Sequence, residues 1–212
     1  MTVSNVDEGE ASYRTLCAPA EAEIIVERSR FIGYARPVRE LADAERFVAA
    51  TRKQHYDARH VCFGLRIGRG PQGLDRSNDD GEPARTGGYP LWQLLDGDGV
   101  TDALLVVVRY YGGVKLGMGG LARAYRDAGR MAFEAAGAEE RWPEVSRALP
   151  VAYATLDRVQ HLLPQLEGVR VERVEYAAEP TLHLAIRKVA MQNVRQRLSG
   201  LLQVAPESLL TT

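Results

Sequence analysis

The sequence is poor in cysteine, with only Cys17 and Cys62 among its 212 residues. Two cysteines that lie far apart in the chain do not form the disulfide framework of a small secreted protein, so we interpret both as reduced thiols. Long apolar runs are also absent. The longest, Ala103 to Val108, has six residues, whereas a helix that spans a membrane needs about 20. We therefore predict no membrane-spanning segment and no membrane partner.

A large excess of charge of either sign is equally absent. The chain carries 27 basic and 28 acidic residues, for a net charge of −1, and 45% of its residues are apolar. This composition excludes a disordered or polycationic chain and favours a globular protein. The first 27 residues contain one base, six acids and no apolar core of a signal peptide. Because a secretory signal needs such a core, we expect a cytoplasmic protein.

Residues 28–147 are mildly basic, with a net charge of +3. A charge of this size permits a local phosphate-binding patch but does not require nucleic acid as a partner. The position of the cations, rather than their number, therefore has to indicate the function.

Apolar periodicity divides the first two thirds of the chain into a flexible tail, at residues 1–19, and a domain, at residues 20–140. Residues 68–100 are rich in glycine and contain three prolines, so we predict irregular structure there, apart from a helical turn near 91–95. The other predicted elements are a hairpin with strands near 24–26 and 31–38, a helix at 40–53, a strand at 59–67, a buried central strand at 103–108 and a helix at 119–136.

The last third of the chain predicts a second, smaller domain at residues 148–212. Residues 142–146 include Pro143 and break the pattern, so we interpret them as the linker. Beyond them the elements follow the order β-α-β-β-α, with the first strand at 149–153. This order, with room for a short final strand, is typical of a ferredoxin-like unit. The predicted fold class is therefore α+β with two domains.

A glycine-rich segment joins the predicted central strand to the helix that follows it. Glycine lets backbone N–H groups approach an anion, and the start of a helix adds positive partial charge, so the segment could hold a phosphate group. It matches neither the Walker A pattern nor the dinucleotide-binding pattern. The alternative is that the glycines only permit a tight turn and close packing. The residues concerned are Gly112, Gly113, Gly117, Gly119 and Gly120, with Lys115 among them.

Arginines near this segment strengthen the phosphate-binding prediction. Arg123, Arg126 and Arg130 share one face of the predicted helix, and Arg109 ends the predicted central strand. Arginine makes bidentate contacts with phosphate, so a row of this kind could follow a nucleic-acid backbone. The alternative is a solvated helix face on which neighbouring acids pair with the arginines.

Three carboxylates, on Asp79, Asp80 and Glu82, lie within four residues. They could bind Mg²⁺ or supply a general base, but Asn and Asp next to glycine are equally typical of a tight turn. His60 and Cys62 lie on one side of a predicted strand, and neither a zinc site nor a cysteine nucleophile has a complete set of partners in the sequence. We predict no metal, no cofactor and no assigned catalytic residue.

Four segments together closely resemble the IMPACT/YigZ family: SRFIG at 29–33, H-x-x-A-x-H-x-C from His55 to Cys62, DDGEP at 79–83 and VVRYYGGVKLGMGGLARAYRDA at 107–128. The resemblance covers roughly residues 20–137. It implies an N-terminal domain like the fourth domain of elongation factor G. It also implies a ferredoxin-like C-terminal domain, similar to that factor's fifth domain, and a role near RNA or the ribosome. Eukaryotic members of the family resemble regulators of translation that act through protein contacts.

Arg85 departs from the family pattern, which commonly has glycine at this position. If the position needs a positive φ, the loop must reshape around the arginine. If it does not, Arg85 adds a cation to the candidate site.

The leading prediction is a binding protein rather than an enzyme. It binds nucleic acid or the ribosome through the glycine-rich segment and the arginine face, with a translation-related partner and a role in regulating translation. One alternative is an enzyme that acts on a small phosphorylated or peptidic ligand, which predicts a concave pocket between the DDGE and glycine-rich loops. The other is a protein-interaction adaptor in which both loops are structural.

Overall fold

The computed structural model describes residues 11–206 and 209–210. The chain divides into two compact units, of which the first comprises Tyr13–Arg141 and the second begins at Trp142. No helix within the described residues is long and apolar enough to cross a membrane.

The elements of the first unit are β1 (Tyr13–Leu16), β2 (Ala20–Val26), β3 (Ser29–Pro37), α1 (Leu41–Gln54), β4 (His60–Ile67), β5 (Leu74–Asn78), α2 (Gly88–Gly97), β6 (Ala103–Tyr110), α3 (Gly117–Ala136) and β7 (Ala138–Arg141). Five of the strands form a sheet in which every neighbouring pair is antiparallel, in the order β2-β3-β6-β4-β5. The central position of β6 was predicted from its uninterrupted apolar run, because a strand in the middle of a covered sheet is buried on both faces. All six residues of that run are fully buried.

Helices cover both faces of this sheet. The core on one face includes residues of α2 and α3, and the core on the other face includes residues of α1. Helix α3 lies very close to β3, since a Cβ atom added to Gly33 would stand 2.4 Å from the carbonyl oxygen of Ala128. Only glycine permits this approach. The close packing fixes the middle of α3 against β3.

The predicted tail is wrong for Tyr13–Leu16. These residues form β1, which pairs with β7 in an antiparallel ladder from Tyr13 opposite Arg141 to Leu16 opposite Ala138. The sequence of β1 has no clear alternation, and its partner follows more than 100 residues later, so local periodicity could not reveal the pairing. Residues 1–10 of the predicted tail lie outside the described residues.

The segment predicted to be irregular contains two regular elements. The edge strand β5 is polar and mostly exposed, so it lacks the apolar alternation that identifies a half-buried strand. Helix α2 has ten residues instead of a single turn. Its Pro90 stands in the first turn, where proline removes no hydrogen bond of the helix.

The elements of the second unit are β8 (Glu144–Pro150), α4 (Tyr153–Leu162), β9 (Val169–Glu175), β10 (Thr181–Arg187) and α5 (Met191–Leu202). The three strands form a sheet in the order β8-β10-β9, with both pairs antiparallel. Strand β10 lies between β8 and β9, the two strands that α4 connects, and no further strand follows α5 within the described part of the chain. The core includes Leu149 from β8, Leu184 from β10 and Val194 from α5.

Two predicted boundaries in this region are wrong. Strand β8 begins at Glu144, so residues 144–146 of the predicted linker are part of the sheet. Tyr153, predicted as the end of the strand, is the first residue of α4. Pro150 ends the strand, because proline has no N–H to donate to a ladder.

Candidate phosphate-binding pocket

The loop after β5 and the loop after β6 meet around a cavity of about 440 Å³ in the first unit. Its polar lining comes from Arg59, His60, Glu82, Arg109 and Lys115, and its apolar lining includes Tyr111, Leu116, Met118 and Leu121. Gly117, the first residue of α3, also lines it. The antiparallel register of the sheet explains the meeting, because it places His60 of β4 directly opposite Arg109 of β6.

A buried ion pair forms the inner wall. The Nη1 of Arg109 donates to the Oε1 of Glu82 at 2.7 Å, and the Tyr125 hydroxyl donates to the same oxygen at 2.9 Å. The side chains of Glu82 and Arg109 are only 4% and 7% exposed. Burial raises the pKa of Tyr125, with further contributions from Cys62 and Glu82. Arg109 was predicted to contact a nucleic-acid backbone, but most of its side chain faces protein instead.

His60 presents one ring nitrogen to this wall. Its Nδ1 lies 2.7 Å from the carbonyl oxygen of Asp80. Because a carbonyl oxygen can only accept, Nδ1 carries the ring proton and donates it. The other nitrogen, Nε2, lies 3.8 Å from the Oε1 of Glu82. Burial is the largest effect on the pKa of His60 and lowers it, while Glu82 opposes the shift. The ring is therefore neutral at pH 7.

The two aspartates of the first loop hold the loop together. The carboxylate of Asp79 accepts the backbone N–H groups of Arg85 at 2.7 Å, Gly87 at 2.9 Å and Gly88 at 2.8 Å, which fixes the start of α2. Asp80 accepts the N–H of Val61 at 2.6 Å and pairs with Arg52. These contacts favour the turn interpretation over a magnesium site or a general base. Within the described residues, no group of three His, Cys, Asp or Glu side chains is placed to bind a metal ion.

Cys62 is buried beside the pocket, and its thiol donates to the carbonyl oxygen of Asp79 at 3.1 Å. Burial raises the pKa of Cys62 to about 12. A thiol with this pKa is protonated at neutral pH, and the thiolate is the nucleophilic form. The geometry therefore argues against a cysteine nucleophile.

The glycines of the second loop differ in their surroundings. A Cβ atom on Gly112 would lie 2.0 Å from the carbonyl carbon of Arg28, and the N–H of Gly112 donates to the Ser29 hydroxyl. This glycine is explained by close packing against the β2–β3 turn, and its N–H is already in use. Gly113 and Gly117 have φ values of 87° and 66°, which favour glycine.

The end of this loop and the first turn of α3 both line the pocket. Helix α3 begins without a side-chain cap on its N-terminal N–H groups, and its first residue, Gly117, lines the cavity together with Lys115. Gly119 and Gly120 belong to the same turn. A Cβ on Gly119 would meet nothing within 4 Å, and one on Gly120 would meet only the Cβ of Leu116, at 3.4 Å.

Only some of the arginines on the predicted face of α3 are free of ion-pair partners among the described residues. Arg123 and Arg126 are exposed on α3, and the described residues offer them no ion-pair partner. Arg130 pairs instead with Asp98 at 3.0 Å. Asp98 directly follows α2, so this partner comes from the end of a neighbouring helix, and the spacing of residues along α3 could not identify it. The expectation of three adjacent free cations is wrong for Arg130.

Arg85 adopts the left-handed conformation, with φ 63°. The position therefore does need a positive φ, and the arginine accommodates it. Its guanidinium carbon lies 3.9 Å from the centre of the Tyr89 ring. Arg85 stacks on this tyrosine and is not among the residues that line the pocket.

Three contributors to the pocket were missed from the sequence. Arg59 and Tyr111 line it, and the Tyr125 hydroxyl donates a hydrogen bond to Glu82. Arg59 directly precedes the strand that contains His60, and Tyr111 closely follows Arg109 in the chain. Their proximity to residues already singled out was the available signal. Tyr125 falls at helical spacing with the apolar residues Leu121, Ala128 and Ala132, a pattern that predicts a buried position but no polar partner.

Three cations and one carboxylate line the cavity, so its lining is net positive and suits an anion. The molecule is thus a two-unit α+β protein whose first unit carries a cation-lined pocket at the start of a long helix. Residues 27–133 match the family described as Impact N-terminal domain. The chain belongs to the IMPACT family.

Relatives and a solved structure match larger parts of the chain. The IMPACT family member YigZ of Escherichia coli is 34% identical over 176 residues, which cover 82% of this chain and 86% of that protein. A member from Haemophilus influenzae is 35% identical and covers 76% of this chain and 77% of that protein. YvyE of Bacillus subtilis is 42% identical over 114 residues, 54% of this chain and 52% of that protein. A crystal structure described as that of a hypothetical protein matches with a TM-score of 0.64 at 31% identity, over 89% of this chain and 92% of that one.

Proposed function

We propose that this protein is a cytoplasmic RNA-binding protein of the IMPACT family, acts on the ribosome or on RNA near it, and takes part in the regulation of translation. The observation that carries the proposal is the cation-lined pocket at the start of α3. Arg59, Arg109 and Lys115 supply positive charge there, and the uncapped first turn of the helix supplies N–H donors. Phosphate binds at helix N-termini for these two reasons together.

The exposed arginines extend the same surface along the helix. Arg123 and Arg126 belong to the helix whose first turn lines the pocket. A phosphate group in the pocket and neighbouring phosphates along this helix would together fix an RNA strand without reading its sequence. We therefore expect binding that depends strongly on salt and weakly on sequence.

The topology of both units supports the same proposal. In the second unit, β10 lies between the two strands joined by α4, which is the split β-α-β arrangement of ferredoxin-like folds. We propose that this unit is ferredoxin-like and that the first unit resembles the fourth domain of elongation factor G. Such a pair of domains, shared with a factor that works on the ribosome, is consistent with a ribosomal partner.

A salt series tests the proposal. Binding of fluorescently labelled single-stranded and structured RNA is measured by anisotropy at several salt concentrations. The test variant combines Lys115→Ala, Arg123→Ala and Arg126→Ala. We expect it to bind more weakly and to reduce the slope of log K against log salt by about 0.7 to 0.9 for each RNA phosphate that it no longer neutralises.

The matched control removes three exposed cations from the second unit, with Arg158→Ala, Arg173→Ala and Arg197→Ala. It changes the net charge of the protein equally and leaves the pocket intact. Equal loss of binding in both variants would mean that net charge, and not this surface, drives association. Absence of RNA binding by the unaltered protein at low salt would refute the proposal.

A second candidate function is favoured by the size and the lining of the pocket. A cavity of about 440 Å³ that contains a neutral histidine next to a buried carboxylate is suited to a small phosphorylated or peptidic ligand. An enzyme acting on such a ligand would use the same residues. A thermal-shift screen of phosphorylated metabolites and short peptides distinguishes this candidate, because a stabilising ligand should lose its effect in His60→Asn and in Lys115→Gln.

A further inference from the structure

The pocket offers one hydrogen-bond acceptor among its donors. Since Nδ1 of His60 donates to the Asp80 carbonyl oxygen, Nε2 is left with a lone pair. No side chain or backbone group of the described residues hydrogen-bonds to Nε2, and the Glu82 oxygen near it also accepts. Two acceptors 3.8 Å apart do not satisfy each other. Nε2 is therefore available to accept a proton from a molecule bound in the pocket.

The other groups of the pocket need acceptors. The Nε of Arg109 is buried without a hydrogen-bond partner among the described residues, and only 7% of this side chain is exposed. A buried guanidinium N–H without a partner is costly and is rarely left so. Lys115 and Arg59 also line the cavity, and the first turn of α3 adds N–H groups. A fitting ligand has several anionic oxygens and a single proton to share.

We propose that the pocket binds a phosphomonoester, the terminal phosphate of a molecule, in preference to the internal phosphodiester of a nucleic-acid strand. The inference rests on the proposed function, in which this pocket takes a phosphate group. A monoester has three free oxygens, and because its second pKa of about 6 is close to neutral pH, its monoanion can bind beside Nε2 of His60 and donate its remaining O–H to that nitrogen. A diester has two free oxygens and no such proton. The two ester substituents of a diester must also both extend out of the cavity, whereas a terminal phosphate has only one and can enter end-on.

The same terminal phosphate could belong to the end of an RNA strand or to a small phosphorylated molecule. The test uses one labelled single-stranded RNA in three forms: with a 5′-phosphate, with a 3′-phosphate and with hydroxyl groups at both ends. Binding is measured by anisotropy at pH 7, and AMP and inorganic phosphate serve as unlabelled competitors. We expect at least one phosphorylated form to bind about tenfold more tightly than the hydroxyl form, the gain of one charge-assisted hydrogen bond.

His60→Asn removes Nε2 while its amide N–H can still donate to the Asp80 carbonyl oxygen. We expect the preference for the phosphorylated forms to be smaller in this variant than in the unaltered protein, with a remainder due to the attraction of Arg59 and Lys115 for the additional charge. The matched control, Arg123→Ala with Arg126→Ala, alters the exposed face of α3 instead of the pocket. It should weaken all three forms and keep the ratio between them.

Equal binding of the three RNA forms by the unaltered protein overturns the phosphomonoester inference and leaves the proposed RNA binding standing. If no RNA binds but AMP or inorganic phosphate stabilises the protein against heat in a His60-dependent manner, the proposed function fails and the terminal phosphate comes from a small molecule. If neither RNA nor the small phosphates bind, both fail. The comparison of RNA forms on the unaltered protein remains decisive even if His60→Asn does not fold.

Discussion

Replacing Glu82 with glutamine should strongly destabilise the first unit. The substitution removes the charge that Arg109 faces at 2.7 Å and leaves a guanidinium with a side chain only 7% exposed. Removing one partner of a buried ion pair costs about 3 to 5 kcal/mol, because the remaining charge is uncompensated. The amide oxygen of glutamine can still accept from Tyr125, so we expect the lower end, about 3 kcal/mol. With a urea dependence of about 1 to 3 kcal/mol/M, the unfolding midpoint should fall by about 1 to 3 M.

Tryptophan fluorescence can report the first unit alone. Trp92 lies in α2 and Trp142 at the start of the second unit, so urea titrations are made in a Trp142→Phe background. The decisive control is the double variant Glu82→Gln with Arg109→Met, which removes both charges. We expect it to be more stable than Glu82→Gln alone. Two results would refute the assignment of a buried ion pair. One is a loss of unfolding free energy smaller than about 1 kcal/mol in Glu82→Gln. The other is a double variant whose loss equals the sum of the losses in Glu82→Gln and in Arg109→Met measured separately.

Three further predictions concern the same unit. Gly64→Ala should cost about 3 kcal/mol in urea unfolding, because its Cβ would lie 2.2 Å from the backbone nitrogen of Trp92; Gly97→Ala, which meets nothing within 4 Å, should change stability by less than about 1 kcal/mol. Exposed Cys17 should react with a thiol reagent at pH 8, whereas Cys62, with its pKa raised to about 12 by burial, should react only after urea is added; fast labelling of two thiols in the native protein would contradict this. Burial also lowers the pKa of His55 in the folded protein, so the unfolded chain takes up a proton at this residue at a higher pH than the folded protein does. As pH falls below about 6.5, the free energy of unfolding should therefore drop by up to about 1.4 kcal/mol per pH unit. If His55→Gln shows the same dependence of stability on pH, His55 makes no such contribution.

Regular, strongly apolar elements of the fold could be predicted from the sequence. The run from Ala103 to Val108 identified the central strand, and the stripe from Leu121 identified α3, because burial on a sheet or helix face imposes a period on the sequence. Strand β5 and the β1–β7 ladder were missed for opposite reasons. The first is too polar to show a period, and the second depends on a pairing between distant segments.

The candidate pocket was predictable only in parts. The sequence indicated the two loops and the residues Glu82 and Lys115, but the meeting of the loops depends on the register between β4 and β6. That register is a tertiary property, since it places His60 opposite Arg109. The roles of Asp79 and Arg130 also depended on contacts from other elements. Side-chain type indicated the possible chemistry, and only the fold distinguished a ligand-facing group from a structural one.

The β1–β7 ladder brings the two ends of the first unit close together in space. Tyr13 and Arg141 are directly paired, and paired residues in an antiparallel ladder lie about 5 Å apart. The ends of the unit could therefore be joined by a short peptide and new ends opened in the exposed turn at 70–73. Compact domains tolerate such circular permutation when their ends are adjacent. The β1–β7 pairing, which requires closure of a loop of more than 100 residues in the natural order, would then become a local hairpin that forms early.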